Sequence, residues 1–220
     1  MSQLVFKFPF KTKYYEQDYY VSSNNFSAYR LIESWPNWPD KWVNIYGPKG
    51  CGKTHLSNIL KKKIRIVEII DAKNIDEDQI FKFEKLDCLI IDNYESNIEE
   101  NFLYSILNHF KQLDTYVVVN SFLPIKNMKL ELKDLKSRAE SFVSLGIDLP
   151  TDDLLRVIIS KSFSDKQIDI SPKISEYIIK NIERSYEKVF KFIKEIDDLS
   201  LSSGKSININ LIKKVLTNNE

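Results

Sequence analysis

Residues Gly47-Pro48-Lys49-Gly50-Cys51-Gly52-Lys53-Thr54 follow the spacing G-x-x-x-x-G-K-[ST], which suits a loop that wraps a phosphate group. Glycines let consecutive backbone N–H groups turn inward around an anion, because no Cβ blocks the approach or the unusual dihedrals. Lys53 supplies positive charge to β- and γ-phosphate oxygens, and Thr54 offers a hydroxyl to Mg²⁺. A helix opening near Lys53 adds the partial positive charge of its N-terminus to the same anion. The chain has five glycines, and three of them lie in this loop. Gly47, Pro48, Gly50, Cys51, Gly52, Lys53 and Thr54 therefore form the candidate nucleotide cradle.

A magnesium shell also needs a carboxylate at the end of a nearby strand. Asp92 fits, since it closes the apolar run Cys88-Leu89-Ile90-Ile91. The following position often carries a second acid that polarises the attacking water. Here it is Asn93, which takes no proton, so hydrolysis by this chain alone is expected to be slow. Glu95 lies close enough in sequence to substitute for it. Asn120 ends the next apolar run and is the candidate to orient water or meet the γ-phosphate, with Ser121 as the neighbouring alternative.

The elements that must carry these groups are legible. Strands are expected at 42–46, 65–70, 87–92, 115–120 and 142–148. The second, third and fourth are near-continuous apolar runs, as in parallel strands covered on both faces. Residues 97–112 place Ile98, Phe102, Ile106 and Phe110 at a four-residue step, an amphipathic helix. This alternation predicts an α/β fold with an open, parallel five-stranded sheet and flanking helices. From Thr151 the pattern is helical only. Thr151 caps an acidic first turn, Pro172 opens a second helix, a third runs from about Arg184 to Leu201, and 207–217 forms the last. The expected third-helix stripe is Val189, Phe192 or Ile193, Ile196 and Leu199. The division read from this is 13–150 for the α/β domain and 151–220 for a small all-helical domain, with a tail at 1–12.

Composition narrows the partners. The 220 residues are 43% hydrophobic, enough for a sizeable core, and the net charge of +1 provides no global basic field for DNA. Lys61-Lys62-Lys63 reads as the solvated end of a helix. Cys51 and Cys88 make neither a disulfide framework nor a metal pattern, which suits a reducing cytoplasm. Cys51 beside Lys53 is either a thiol of lowered pKa or, the favoured reading, a small loop filler. No signal segment and no run of 18 apolar residues occurs, so a soluble cytoplasmic protein is expected, with no membrane partner.

Gly-Lys-Thr-His-Leu at 52–56, Ile-Asp-Asn at 91–93, Leu-Lys-Ser-Arg-Ala at 135–139 and the helical tail together resemble the DnaA-like AAA+ family. Within it the resemblance is greatest to the short regulatory homologues of the Hda type, and it spans essentially the whole chain. It implies a P-loop AAA+ module followed by a helical lid, with ADP or ATP and Mg²⁺ as ligands. It also implies that Arg138 is an arginine finger acting in trans on another protomer's nucleotide, and that Arg184 is a second sensor reaching the nucleotide from the lid. His55 joins the cradle by the same match, and Tyr20 and Val21 line the adenine pocket.

Two departures from DnaA are expected to matter. The chain stops at Glu220 without the helix-turn-helix domain that follows the lid in DnaA, and only about twenty residues join Ile70 to Asp92, where DnaA inserts an extra helical element. Both point away from direct DNA binding. Gln3-Leu4-Val5-Phe6-Lys7-Phe8 resembles the hexapeptide that bacterial proteins place in the DNA polymerase III sliding clamp (its β subunit), with Gln3, Leu4, Phe6 and Phe8 as the contact residues. The resemblance thus implies a clamp-tethered regulator that stimulates ATP hydrolysis by DnaA and restrains replication initiation. Self-association into a homodimer is left open. The rival readings are a stand-alone P-loop ATPase or kinase, and a DnaA-like DNA-binding or loader protein.

Overall fold

A computed structural model describes residues 14–76, 83, 85–95, 97–203 and 207–217. The chain divides into two compact units, one spanning Tyr14–Asp148 and one beginning at Leu149.

The first unit holds five strands: β1 Trp42–Tyr46, β2 Val67–Asp71, β3 Cys88–Tyr94, β4 Tyr116–Ser121 and β5 Val143–Gly146. Every pairing is parallel and the order is β2-β3-β4-β1-β5, so β4 lies between the strand of Asp92 and the strand that leads into the phosphate loop. β3 and β4 are buried on both faces, as their apolar runs require. β2 departs from that expectation. It is an edge strand, with partly buried residues and an exposed Glu68.

Among the described residues, four helices flank the sheet: α1 Phe26–Glu33, α2 Lys53–Lys61, α3 Glu100–Gln112 and α4 Lys133–Glu140. α3 buries Leu103, Ile106, Leu107 and Phe110, while Phe102 is half-buried. The true stripe steps by three and four residues because a helix repeats every 3.6 residues; a uniform step of four drifts off the face. Ile98 precedes the helix yet joins the core. Most of the segment between β2 and β3 beyond Asp76 lies outside the described residues.

The second unit contains α5 Asp152–Ser164, α6 Pro172–Asn181, α7 Tyr186–Ser203 and α8 Ile209–Thr217. Thr151 caps α5 by accepting from the Leu154 N–H at 3.3 Å, and Pro172 stands at the first position of α6, where its missing N–H costs nothing. Leu155, Ile159, Phe163, Ile178, Val189, Ile196 and Ile212 build one apolar core. Both Phe192 and Ile193 are buried in it, whereas Leu199 is only partly covered. Among the described residues no helix is long and apolar enough to cross a membrane.

Candidate nucleotide site

β1 delivers the chain to Gly47, whose N–H donates to the Ser121 carbonyl at the end of β4 at 3.2 Å. Gly52 has φ +101°, a left-handed conformation that spares glycine the Cβ penalty, and it starts α2. Space matters as well: a Cβ on Gly52 would stand 2.9 Å from the Tyr19 ring, and one on Gly47 2.5 Å from the Ile147 carbonyl oxygen. Lys53 Nζ donates to the carbonyl oxygens of Gly47 at 2.7 Å and Pro48 at 3.1 Å, so its charge is held at the mouth of the loop. Cys51 is buried, and burial pushes its thiol pKa up despite the opposing pull of Lys53. It is a loop filler.

Asp92 is the hub of a buried polar cluster. Its Oδ2 accepts from the Thr54 hydroxyl at 2.7 Å, and its Oδ1 accepts from Asn120 Nδ2 at 2.9 Å. Asn120 is fully buried and also donates to Ser57 Oγ at 2.7 Å, while its own Oδ1 is buried without a hydrogen-bond partner. The strand order brings these groups together, because β4 carries Asn120 between β3 and the loop that follows β1.

Neither Asn93 nor Ser121 joins that cluster through its side chain. Asn93 has φ +57°, and its Nδ2 donates to Asp71 Oδ2 at 2.7 Å on the outer strand. Asp71 also accepts from the Lys73 N–H, and these two hydrogen bonds hold its carboxyl below the usual carboxylate range. Ser121 Oγ accepts from Asn44 Nδ2 at 2.8 Å and donates to the Leu123 carbonyl at 2.6 Å. Asn44 is fully buried in β1 and shapes the turn after β4, since its Oδ1 accepts from the Ile125 N–H at 2.9 Å. Glu95 is exposed beside Phe122, Leu123 and Met128.

The donor set fits Mg²⁺ with a nucleoside polyphosphate. One hydroxyl and one carboxylate meet at 2.7 Å, as suits a cation that keeps most of its waters and takes other ligands from phosphate. Among the described residues there is no cluster of three His, Cys, Asp or Glu that would favour an all-protein metal cage.

Comparison with known proteins bears on this arrangement. No family model matches the chain. The chromosomal replication initiator protein DnaA of Buchnera aphidicola subsp. Baizongia pistaciae is 26% identical over 98% of this chain and 53% of its own length. The chain spans about half the length of the curated DnaA relatives it matches. The crystal structure of domain III from the Thermotoga maritima replication initiation protein DnaA superposes with a TM-score of 0.78 at 17% identity, covering 96% of this chain and 98% of that one. The chain shares the fold of that DnaA domain. A further DnaA structure, bound to AMPPCP and single-stranded DNA, matches with a TM-score of 0.69 at 19% identity over 88% of this chain and 67% of that one.

On this DnaA-type framework the remaining predicted residues fall as follows. Arg138 on α4 pairs with neither Asp134 nor Glu140; its Nη2 donates to Asn108 Oδ1 of α3 at 2.9 Å. Arg184 belongs to the helical unit, where it makes a two-pronged contact with Asp152 at 3.0 and 3.3 Å. Tyr20 is exposed and Val21 half-buried. Tyr19, absent from the sequence-based site, packs on Gly52, stacks on Tyr29 at 5.8 Å and meets His55 edge-on at 5.2 Å. His55 Nε2 donates to the Tyr15 carbonyl at 2.7 Å, so this side chain serves the segment before α1. Gln3, Leu4, Phe6 and Phe8 lie outside the described residues.

Proposed function

We propose that this chain binds an adenine nucleotide with Mg²⁺ and acts as an Hda-type regulator, tethered to the sliding clamp through Gln3, Leu4, Phe6 and Phe8 and lowering initiation by stimulating ATP hydrolysis on DnaA. The observation that carries nucleotide binding is the interlocked set Lys53, Thr54, Asp92 and Asn120 around glycines at positive φ. Lys53 and the loop N–H groups hold phosphate, Thr54 and Asp92 hold the cation, and Asn120 orients Asp92. When bound, Mg²⁺ would withdraw charge from the phosphate oxygens. ADP and ATP are both accommodated by this reading.

The regulatory part is supported by two further features. Asn93 leaves the position after Asp92 without a proton acceptor and faces Asp71, which agrees with slow hydrolysis by the chain itself. Arg138 has a neutral amide as its hydrogen-bond partner, so its charge remains available to a phosphate on another protomer. In other NTPases such an arginine is worth roughly 10³–10⁵ in rate. Hydrolysis of ATP by DnaA in the presence of DNA-loaded clamp tests this reading with wild type, Arg138→Ala and a Gln3/Leu4 double-alanine variant. The expected result is stimulation that both variants lose. Absence of stimulation by the wild-type chain overturns the regulatory role.

One observation favours a second reading, a DnaA-like protein that contacts DNA itself. One of the compared DnaA structures is bound to single-stranded DNA, so the near-neutral charge of +1 and the short β2–β3 connection do not exclude DNA from this chain. Titration with single-stranded DNA at low and moderate salt separates the two readings.

A further inference from the structure

The segment Tyr14–Tyr19 runs along α2, the helix that opens at the phosphate loop. The Tyr15 carbonyl accepts from His55 Nε2 at 2.7 Å, and the Tyr14 ring meets the His55 ring at 5.3 Å. Farther along, Lys62 Nζ donates to the Tyr14 carbonyl at 3.3 Å and lies 5.9 Å from the Tyr15 ring centre. At the other end the Tyr19 ring presses on Gly52, whose φ of +101° sets the first turn of α2. His55 and Gly52 flank Lys53 and Thr54, so the segment grips the turn that must present its N–H groups to phosphate.

Its hold is slight. Tyr15, Glu16 and Gln17 are exposed, and none of the six residues is buried. A segment with little buried apolar surface opens at low free-energy cost, the condition for a local equilibrium that a ligand can shift.

We propose that Tyr14–Tyr19 is a strap whose closure over His55 and Gly52 is thermodynamically linked to nucleotide binding at the phosphate loop. This rests on the nucleotide-binding reading above. A nucleotide that orders the first turn of α2 favours the closed strap, and by reciprocity the closed strap raises nucleotide affinity by the same factor. Only five residues separate Phe8 from Tyr14, so the strap adjoins the expected clamp-binding residues in the chain.

Limited chymotrypsin digestion of the full chain, with cleavage after Tyr14, Tyr15 and Tyr19 followed by mass spectrometry, tests the linkage with and without saturating Mg²⁺-AMPPCP. Calorimetry on the same samples reports nucleotide affinity. Cleavage in the wild type is expected to slow about 10-fold on nucleotide addition. His55→Ala should cleave faster without nucleotide and bind nucleotide more weakly by a matching factor. Lys62→Met is the sharper variant, because Lys62 lies nine residues beyond Lys53, about 13 Å along the helix and remote from phosphate. It should lower affinity about threefold through the strap alone. Unchanged cleavage while calorimetry shows bound nucleotide overturns the linkage, as does wild-type affinity in both variants. If the wild type binds no nucleotide at all, the site reading fails first and the linkage with it.

Discussion

Around the end of β3, polar groups are buried and interlocked: Asp92, Asn120, Ser57 and Thr54 share hydrogen bonds of 2.7 to 2.9 Å. The helical unit is organised the other way. Its interior is apolar, from Leu155 to Val215, and its arginine pairs, Arg156 with Asp153 and Glu176 and Arg184 with Asp152, lie at the surface. Burying polar groups in a hydrogen-bonded cluster adds little net stability but fixes directions, whereas apolar burial stabilises without aiming anything. The first region is therefore organised to fix directions and the second to stay folded.

The largest expected effect lies in the helical unit. Phe163→Ala removes a fully buried ring and should cost about 3–5 kcal/mol in denaturant unfolding. A loss below about 1 kcal/mol would break the comparison, because that core would then not be what holds the unit. Lys53→Ala acts on the other side. Its partners are backbone carbonyls of its own loop, so stability should change little, while calorimetry should show nucleotide affinity falling about 100-fold. Gly52→Ala sharpens the contrast by joining both effects. A β-carbon at φ +101° and 2.9 Å from Tyr19 should destabilise by about 1–3 kcal/mol and weaken nucleotide binding too, and Tyr19→Ala should relieve only the steric part.

The smallest effect concerns the surface pair. Hydrogen bonding from Arg156 holds the Glu176 carboxyl below its usual range. A depressed folded pKa contributes stability at pH above the unfolded glutamate value of about 4.3, and that contribution disappears as pH falls through the folded value. Glu176→Gln should therefore unfold slightly more easily than wild type at pH 7 and indistinguishably once Glu176 is protonated. A difference that persists in strong acid would assign Glu176 a packing role.

Much of the α/β unit was legible because local patterns there have only one reading. β1 coincides with the expected 42–46, and the observed ends of the other strands differ from expectation by one or two residues. The α3 stripe was harder. Phe102 and Leu103 are both apolar, and only the facing sheet selects the one that turns inward. Tyr19 and Tyr20 pose the same problem beside Gly52. Asn44 carried no motif at all, since a lone asparagine inside a strand becomes meaningful only when its amide is seen to hold Val119, Ser121 and Ile125.

The sequence by itself determined the phosphate loop, the strand–loop–helix setting around it, the acid at Asp92 and the all-helical second unit, because each depends on residues adjacent in the chain or repeating along it. Tertiary structure alone decided the partners of the isolated polar side chains: Asn120 with Asp92, Asn93 with Asp71, Arg138 with Asn108 and His55 with Tyr15. These pairs join residues 22 to 40 positions apart. A hydrogen bond depends on direction and on distance to within a few tenths of an ångström, and only strand order and helix packing supply those.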